Sequence, residues 1–233
     1  MRKDVVISAL ALAALSAPVL AEKVGEATRV RLVAYQTPPS APRETVYKLS
    51  AILRNAKLET VADAAMEVTF ADNSTLTLGP SSEAVVDDFV YAGPGTAANQ
   101  TLKYTKGVFR FVSGAVPKDK VQLKTPAVTI GIRGTVVRTK VTPAKTVVFF
   151  EEGSGNVCGA GGVCVDMKPG DMVESDSKGN LGKPEQKSWS TGDDSTDFGM
   201  GPFDRRFRGP DAGGGGDDGG GNSGGGGSGP AGD

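Results

Sequence analysis

The sequence predicts an all-β fold: many short strands, stacked as a β-solenoid-like domain or as a two-sheet sandwich, followed by a flexible Gly-rich tail. Three observations carry this. Apolar residues recur at every second position along most of the chain, as where Val121 and Leu123 alternate with Lys120, Gln122 and Lys124; that is the period of a half-buried strand. Turn residues such as Asp72-Asn73-Ser74, Gly79-Pro80, Ser113-Gly114 and Pro169-Gly170 punctuate the pattern, at the roughly ten-residue spacing of sandwiches, barrels and solenoids. From Gly213 onward the chain is nearly all Gly, Asp and Ser, too polar to offset the entropy of ordering its backbone. No repeat unit is regular enough to select the solenoid.

Taken in order, residues 1–21 read as a signal peptide. Arg2 and Lys3 form a basic start, an apolar run follows to Leu15, and Val19 and Ala21 precede the expected cut before Glu22. The run of about eleven apolar residues is short of the roughly 20 that a membrane span needs. The β domain is expected over residues 22–178 and the tail over residues 179–233. Residues 24–35 alternate, with Val30, Leu32 and Ala34 opposite Arg29, Arg31 and Val33. Residues 37–42 (TPPSAP) form a loop, and residues 46–58 suit a strand, a short helix or both.

Residues 65–70 read as a clear strand, with Met66, Val68 and Phe70 on one face and Glu67 and Thr69 on the other. Asp72-Asn73-Ser74 turns it, and Leu76 and Leu78 return on the same apolar side. Another strand covers residues 84–91, a loop starts at Gly93-Pro94-Gly95, and residues 101–105 and 108–112 are expected to pair around Gly107. Pro126 folds the next strand back, and Val128, Ile130 and Ile132 take over the apolar face. Gly131 and Gly134 predict a sharp turn. Val137, Thr139 and Val141 then restart the alternation, with Arg138 and Lys140 facing out. Residues 147–150 (VVFF) are apolar on both faces, as a strand covered on both sides should be. A turn at Gly153–Gly155 is expected next, and then two strand ends, Val157-Cys158 and Val163-Cys164-Val165, joined by a glycine-rich tip.

Composition excludes several chemistries. The chain has no histidine, which removes the Ser-His-Asp and Cys-His arrangements and every histidine-containing zinc set. Loss of residues 1–21 with Arg2, Lys3 and Asp4 takes 26 basic and 27 acidic residues to 24 and 26. That near-neutral balance, without a basic block, argues against a nucleic-acid partner.

Residues 68–80 (VTFADNSTLTLGP), 83–90 (EAVVDDFV), Lys106-Gly107 with Phe109-Arg110-Phe111, and 125–135 (TPAVTIGIRGT) follow one another in an order that resembles the FecR-type domain. The likeness extends over roughly residues 22–174, and the last string is its most specific part. The resemblance implies a β-rich extracytoplasmic domain. It also implies kinship with regulators that relay a signal from an outer-membrane receptor to a sigma factor. This sequence departs from those regulators: no cytoplasmic N-terminal segment and no internal membrane helix are expected, so direct contact with a cytoplasmic sigma factor is not.

The expected function is therefore an exported, periplasmic or secreted, non-enzymatic binding or scaffold module. It would act on an envelope protein or extracellular ligand, without a cofactor. A component of envelope signalling and a carboxylate-dependent glycan-active enzyme are the alternatives. Arg133, at the expected tip, is the candidate partner contact. Asp87 and Asp88 are adjacent and point to opposite strand faces, so they form no acid–base pair. Asp193, Ser195, Asp197 and Asp204 imitate calcium-loop spacing, but Phe198 stands where that loop needs glycine. Trp189 with Phe198, Phe203 and Phe207 reads as part of a partly ordered tail, with a segment that docks on a partner or on the domain itself as the alternative. Cys158 and Cys164, an even pair around a short glycine-rich tip, predict a hairpin disulfide. On the chain-entropy model it stabilises by about 2.4 kcal/mol. Intact mass of the exported protein, alkylated with and without reduction, should show no free thiol before reduction and two after it. Two free thiols at the outset would overturn the pairing.

Overall fold

The computed structural model describes residues 22–91 and 99–187. The signal segment, the Gly93-Pro94-Gly95 loop, Trp189, the phenylalanine series and the calcium-like aspartates lie outside the described residues. In chain order the strands are β1 (Lys23–Arg31), β2 (Ala34–Thr37), β3 (Glu44–Val46), β4 (Ala51–Leu53), β5 (Lys57–Thr60), β6 (Ala65–Phe70), β7 (Thr75–Leu78) and β8 (Glu83–Val90). Then come β9 (Asn99–Val112), β10 (Val121–Lys124), β11 (Val128–Val141), β12 (Lys145–Gly159), β13 (Cys164–Met167), β14 (Asp171–Asp176) and β15 (Glu185–Gln186). A single 3-10 turn, Lys118–Lys120, precedes β10, and no α-helix occurs among the described residues. Residues 46–58, where a helix was open, hold β4 and the start of β5.

Three of these strands are longer than the turn spacing suggests, and they set the architecture. The first half of β9 pairs with β8 and, in parallel, with β10; its second half pairs with β7 and β11. β11 pairs with β10 through Thr129–Gly131 and with β9 through Val136–Val141. β12 pairs with β14 through its first residues and with β13 through its last. The ladder therefore divides into two layers that share β9, β11 and β12. Sheet one runs β4-β1-β6-β7-β9-β11-β12-β14-β15, and sheet two runs β3-β2-β5-β8-β9-β10-β11-β12-β13. Hydrogen bonding nevertheless links all these strands into one open sheet, whose two halves meet at bends like the corners of a sandwich; the all-β expectation of many strands holds.

The bends fall at Gly107 (φ 105°), Gly134 (φ 66°) and Gly153 (φ 74°). The sequence marks all three regions as turns, and the structure corrects this. Around Gly107, Gly131–Gly134 and Gly153–Gly155 the chain bends and continues as strand. A left-handed glycine serves a corner as readily as a reversal, and partner strands on both sides keep the ladder going. The reversals at Asp72–Ser74, Pro126 and Pro169-Gly170 fall where expected.

Between the layers lies one core. Tyr104 and Phe109 stack with centroids 4.1 Å apart, although an odd separation along a straight strand would put them on opposite faces. Only the bend at Gly107 brings them together. Phe70 of β6 stacks on Phe89 of β8 at 5.3 Å, joining the two sheets. Leu76, Leu102, Phe111, Ile130, Phe150 and Val173 are buried in the same cluster, each stabilising by about 1.5–3 kcal/mol relative to exposure. The turn after β6 is tied in by a polar clasp. Buried Asp72 accepts hydrogen bonds from the Ser74 amide (3.0 Å), the Ser74 hydroxyl (2.6 Å) and the Val116 amide (3.2 Å). The ladder runs past the boundary drawn at residue 178: Leu181 bridges Ser175, and β15 pairs with β14.

Corner geometry generates a direct test. A Cβ on Gly107 would lie 2.2 Å from Ser82 Oγ, and one on Gly153 would lie 2.1 Å from the Gly134 carbonyl oxygen. Gly107→Ala and Gly153→Ala should each lower unfolding free energy by about 2–4 kcal/mol. Gly161→Ala, with nothing within 4 Å, should stay within about 0.5 kcal/mol of the parent. Urea unfolding of the three variants checks this ordering.

Candidate functional site

The charged groups of the sandwich are largely committed to one another. Asp87 accepts from Lys103 Nζ at 2.6 Å, whereas Asp88 accepts from Arg54 Nη2 at 2.6 Å and from Asn99 Nδ2 at 2.9 Å. The adjacent aspartates thus answer separate cations. Arg133, the sequence-predicted contact, is exposed on β11 opposite Ser154, one residue before the Gly134 corner. Cys158 and Cys164 face each other across the β12–β13 hairpin and are bonded, with Cα atoms 4.0 Å apart. No group of three or more metal-ligating side chains is found among the described residues.

Arg138 departs from expectation. It points away from the core, as alternation predicts, yet only 4% of it is exposed. Its Nε donates to Glu151 Oε2 at 2.9 Å, and Arg110 Nε donates to the same oxygen at 3.2 Å. Burial alone would raise the Glu151 carboxyl. The Arg138 and Arg110 guanidiniums outweigh it and hold the group below its ordinary range. Nothing in the local pattern around Arg138 announces this; the clue is that residues 147–150 are apolar on both faces, which requires the outer side of sheet one to be shielded too.

A different kind of surface lies at the end of β2, β3 and β5. Ala34 is in register with both Val46 and Thr60, so Val33, Tyr47 and Val61 form the next row, and the Val61 amide donates to the Val33 carbonyl at 3.3 Å. Leu32 and Leu49 flank that row in the chain. Leu32 is 63% exposed, Tyr47 69% and Leu49 66%, with Val33 and Val61 also exposed; among the described residues Val163, at the tip of the disulfide hairpin, is likewise open at 65%. The expected inward placement of Leu32 is overturned, because β1 breaks after Arg31 and Leu32 takes φ 58°. Leu49 takes φ 71°. The other described non-glycine residues at positive φ are Ser40, Asn55, Asp63, Asn73 and Ser81, short polar types that tolerate it. A leucine in that region costs about 1–2 kcal/mol, and here the cost is borne while the side chain faces solvent.

The fold and these surfaces define a β-sandwich module with paired charges and one apolar end. Residues 56–154 match the family described as FecR protein, so a FecR domain occupies the chain from the start of β5 into β12. Among solved structures, two crystal structures of a candidate anti-sigma factor from Parabacteroides distasonis ATCC 8503, at 2.50 Å and 1.65 Å, are similar. Each is 12% identical with a TM-score of 0.45, and the match covers 57% of this chain and 60% of that one. The chain thus spans less than two thirds of the length of those proteins. No curated protein matches it.

The Arg110–Glu151–Arg138 group predicts a pH effect. Because the folded carboxyl sits below its unfolded value, its stabilisation is present above about pH 4.3 and is lost as pH falls through the folded value. Glu151→Gln should be less stable than the parent by about 1–3 kcal/mol at pH 6, and the gap should narrow toward pH 3. Denaturant unfolding of both proteins between pH 6 and pH 3 measures it.

Proposed function

We propose that this chain is an exported, non-enzymatic binding module that grips another envelope protein through the apolar end formed by Leu32, Val33, Tyr47, Leu49 and Val61. The observation that carries this reading is the pair of leucines held in left-handed backbone with their side chains in water. Backbone strain retained at an exposed apolar position is characteristic of a contact surface. Four of these five residues precede the FecR match and Val61 lies within it, so most of the surface belongs to the part of the sandwich that the family description does not cover. The FecR domain itself favours a second, compatible reading, in which the gripped protein is a component of envelope signalling that this module regulates.

The two leucines separate stability from function. Leu32→Gly and Leu49→Gly relieve positive φ, so the unfolding free energy should stay level or rise, by up to about 1 kcal/mol. Capture of the partner should fall at least tenfold. A photo-crosslinking side chain placed at position 47 in the intact envelope should form a discrete protein adduct, absent from a control at exposed Lys168; an arm at position 133 tests the corner arginine in the same way. No adduct at position 47 above the Lys168 control, or capture unchanged in the glycine variants, would sink the proposal.

A further inference from the structure

Among the described strands, β3, β4, β13 and β15 have a neighbour on one side only. An open edge is a row of unpaired amides and carbonyls that another chain can join, and proteins blunt it with shortness, charge or proline. Three of these edges are blunted. β3 is three residues long, follows Pro42 and Arg43, and carries Glu44. β4 is also three residues long, and the Gln36 side chain donates to its Ala51 carbonyl at 2.8 Å. β15 has two residues, set between Pro184 and Lys187. β13 lacks these devices. Residues 163–167 (VCVDM) contain no proline or lysine, Asp166 is their only charge, and Val163 lies open to water.

The ladder shows which groups this edge offers. The Gly159 amide donates to the Val163 carbonyl at 2.9 Å, so in the alternation of an antiparallel pair Val163, Val165 and Met167 bond to β12. Cys164 and Asp166 fall at the pairs between, and their amides and carbonyls point outward. The close approach of the cysteine Cα atoms, 4.0 Å, is that of a non-bonded pair. Their disulfide pins β13 to β12, so the edge is held extended before any second chain arrives. On the inner side Val165 packs against the core and Met167 lies in it, while Val163 continues that apolar row into water.

We propose that β13 pairs antiparallel with β13 of a second copy of this chain, about a two-fold axis at Val165. In that register Cys164 of each copy faces Asp166 of the other, which satisfies the outward amides and carbonyls of both. Val163 faces Met167 of the second copy, so the two apolar rows meet on the inner side. Neighbouring registers fail. Centring on Asp166 sets two carboxylates directly opposite, and centring on Cys164 puts Asp166 against Gly162, whose φ of 79° leaves the extended region. The match of this edge to itself favours a second copy over a strand from an unrelated chain. With only residues 163–167 on each side, the contact falls below the standard interface size, so association is transient. The inference holds whether or not the apolar end grips a partner.

Sedimentation equilibrium of the exported protein reads the pairing. Its weight-average mass should rise toward that of two chains between about 10 μM and about 1 mM, the range of a transient contact. Asp166→Pro removes an edge-facing amide and no bond to β12, and Val163→Asp sets a charge against Met167 of the second copy. Each should weaken association by about tenfold or more, with the melting transition retained, whereas Leu49→Asp should leave association unchanged. A photo-crosslinking side chain at position 163 should join two copies, with the adduct mapping to residues 165–168. A single-chain mass across the whole range would overturn the proposal, as would undiminished association in whichever of the two β13 variants keeps its fold. Association lost in Leu49→Asp, or adducts that map to other strands, would do the same.

Discussion

Three neighbouring strands change layers at glycines, and the sandwich depends on that constraint. Gly107, Gly134 and Gly153 all have positive φ, and a Cβ on Gly153 would strike the carbonyl oxygen of Gly134. The β11 and β12 corners are therefore stacked against one another, and the β12 corner has no room for a side chain. With the corners in place, the two halves of β9 turn their apolar faces toward each other and the Tyr104–Phe109 stack closes. The core is thus a consequence of backbone geometry at a few positions as much as of apolar content.

Much of the scaffold was legible from pattern. Alternation located β6, β7, β10 and β11, and Asp72-Asn73-Ser74 named its own reversal, since Asp72 satisfies the turn with its own carboxylate. The cysteine spacing identified the disulfide of the β12–β13 hairpin. What pattern could not separate was a corner from a reversal. Both need a glycine at positive φ, and they differ only in whether partner strands continue beyond it, which is a long-range property. Arg133 was expected at a tip for that reason and instead stands beside a corner.

The surfaces were less legible than the scaffold. A period of two assigns a residue to a face but does not say what lies over that face, so Arg138 reads as solvated when it is buried beside Glu151. Leu32 fails in the opposite sense: its place in the alternation is correct only if the backbone stays extended, and a left-handed step after Arg31 turns it out. The apolar end and the shielded outer face both arise where a local rule meets a non-local fact.

β9 has neighbours in both layers, since β7, β8, β10 and β11 all bond to it. Such a body has no seam along which one layer could peel from the other. Loss of the central strand dismantles both sheets at once, so partly open forms exposing half of the apolar interior have no stable resting place. That all-or-nothing character is a safeguard against clumping, written into the connectivity of the fold.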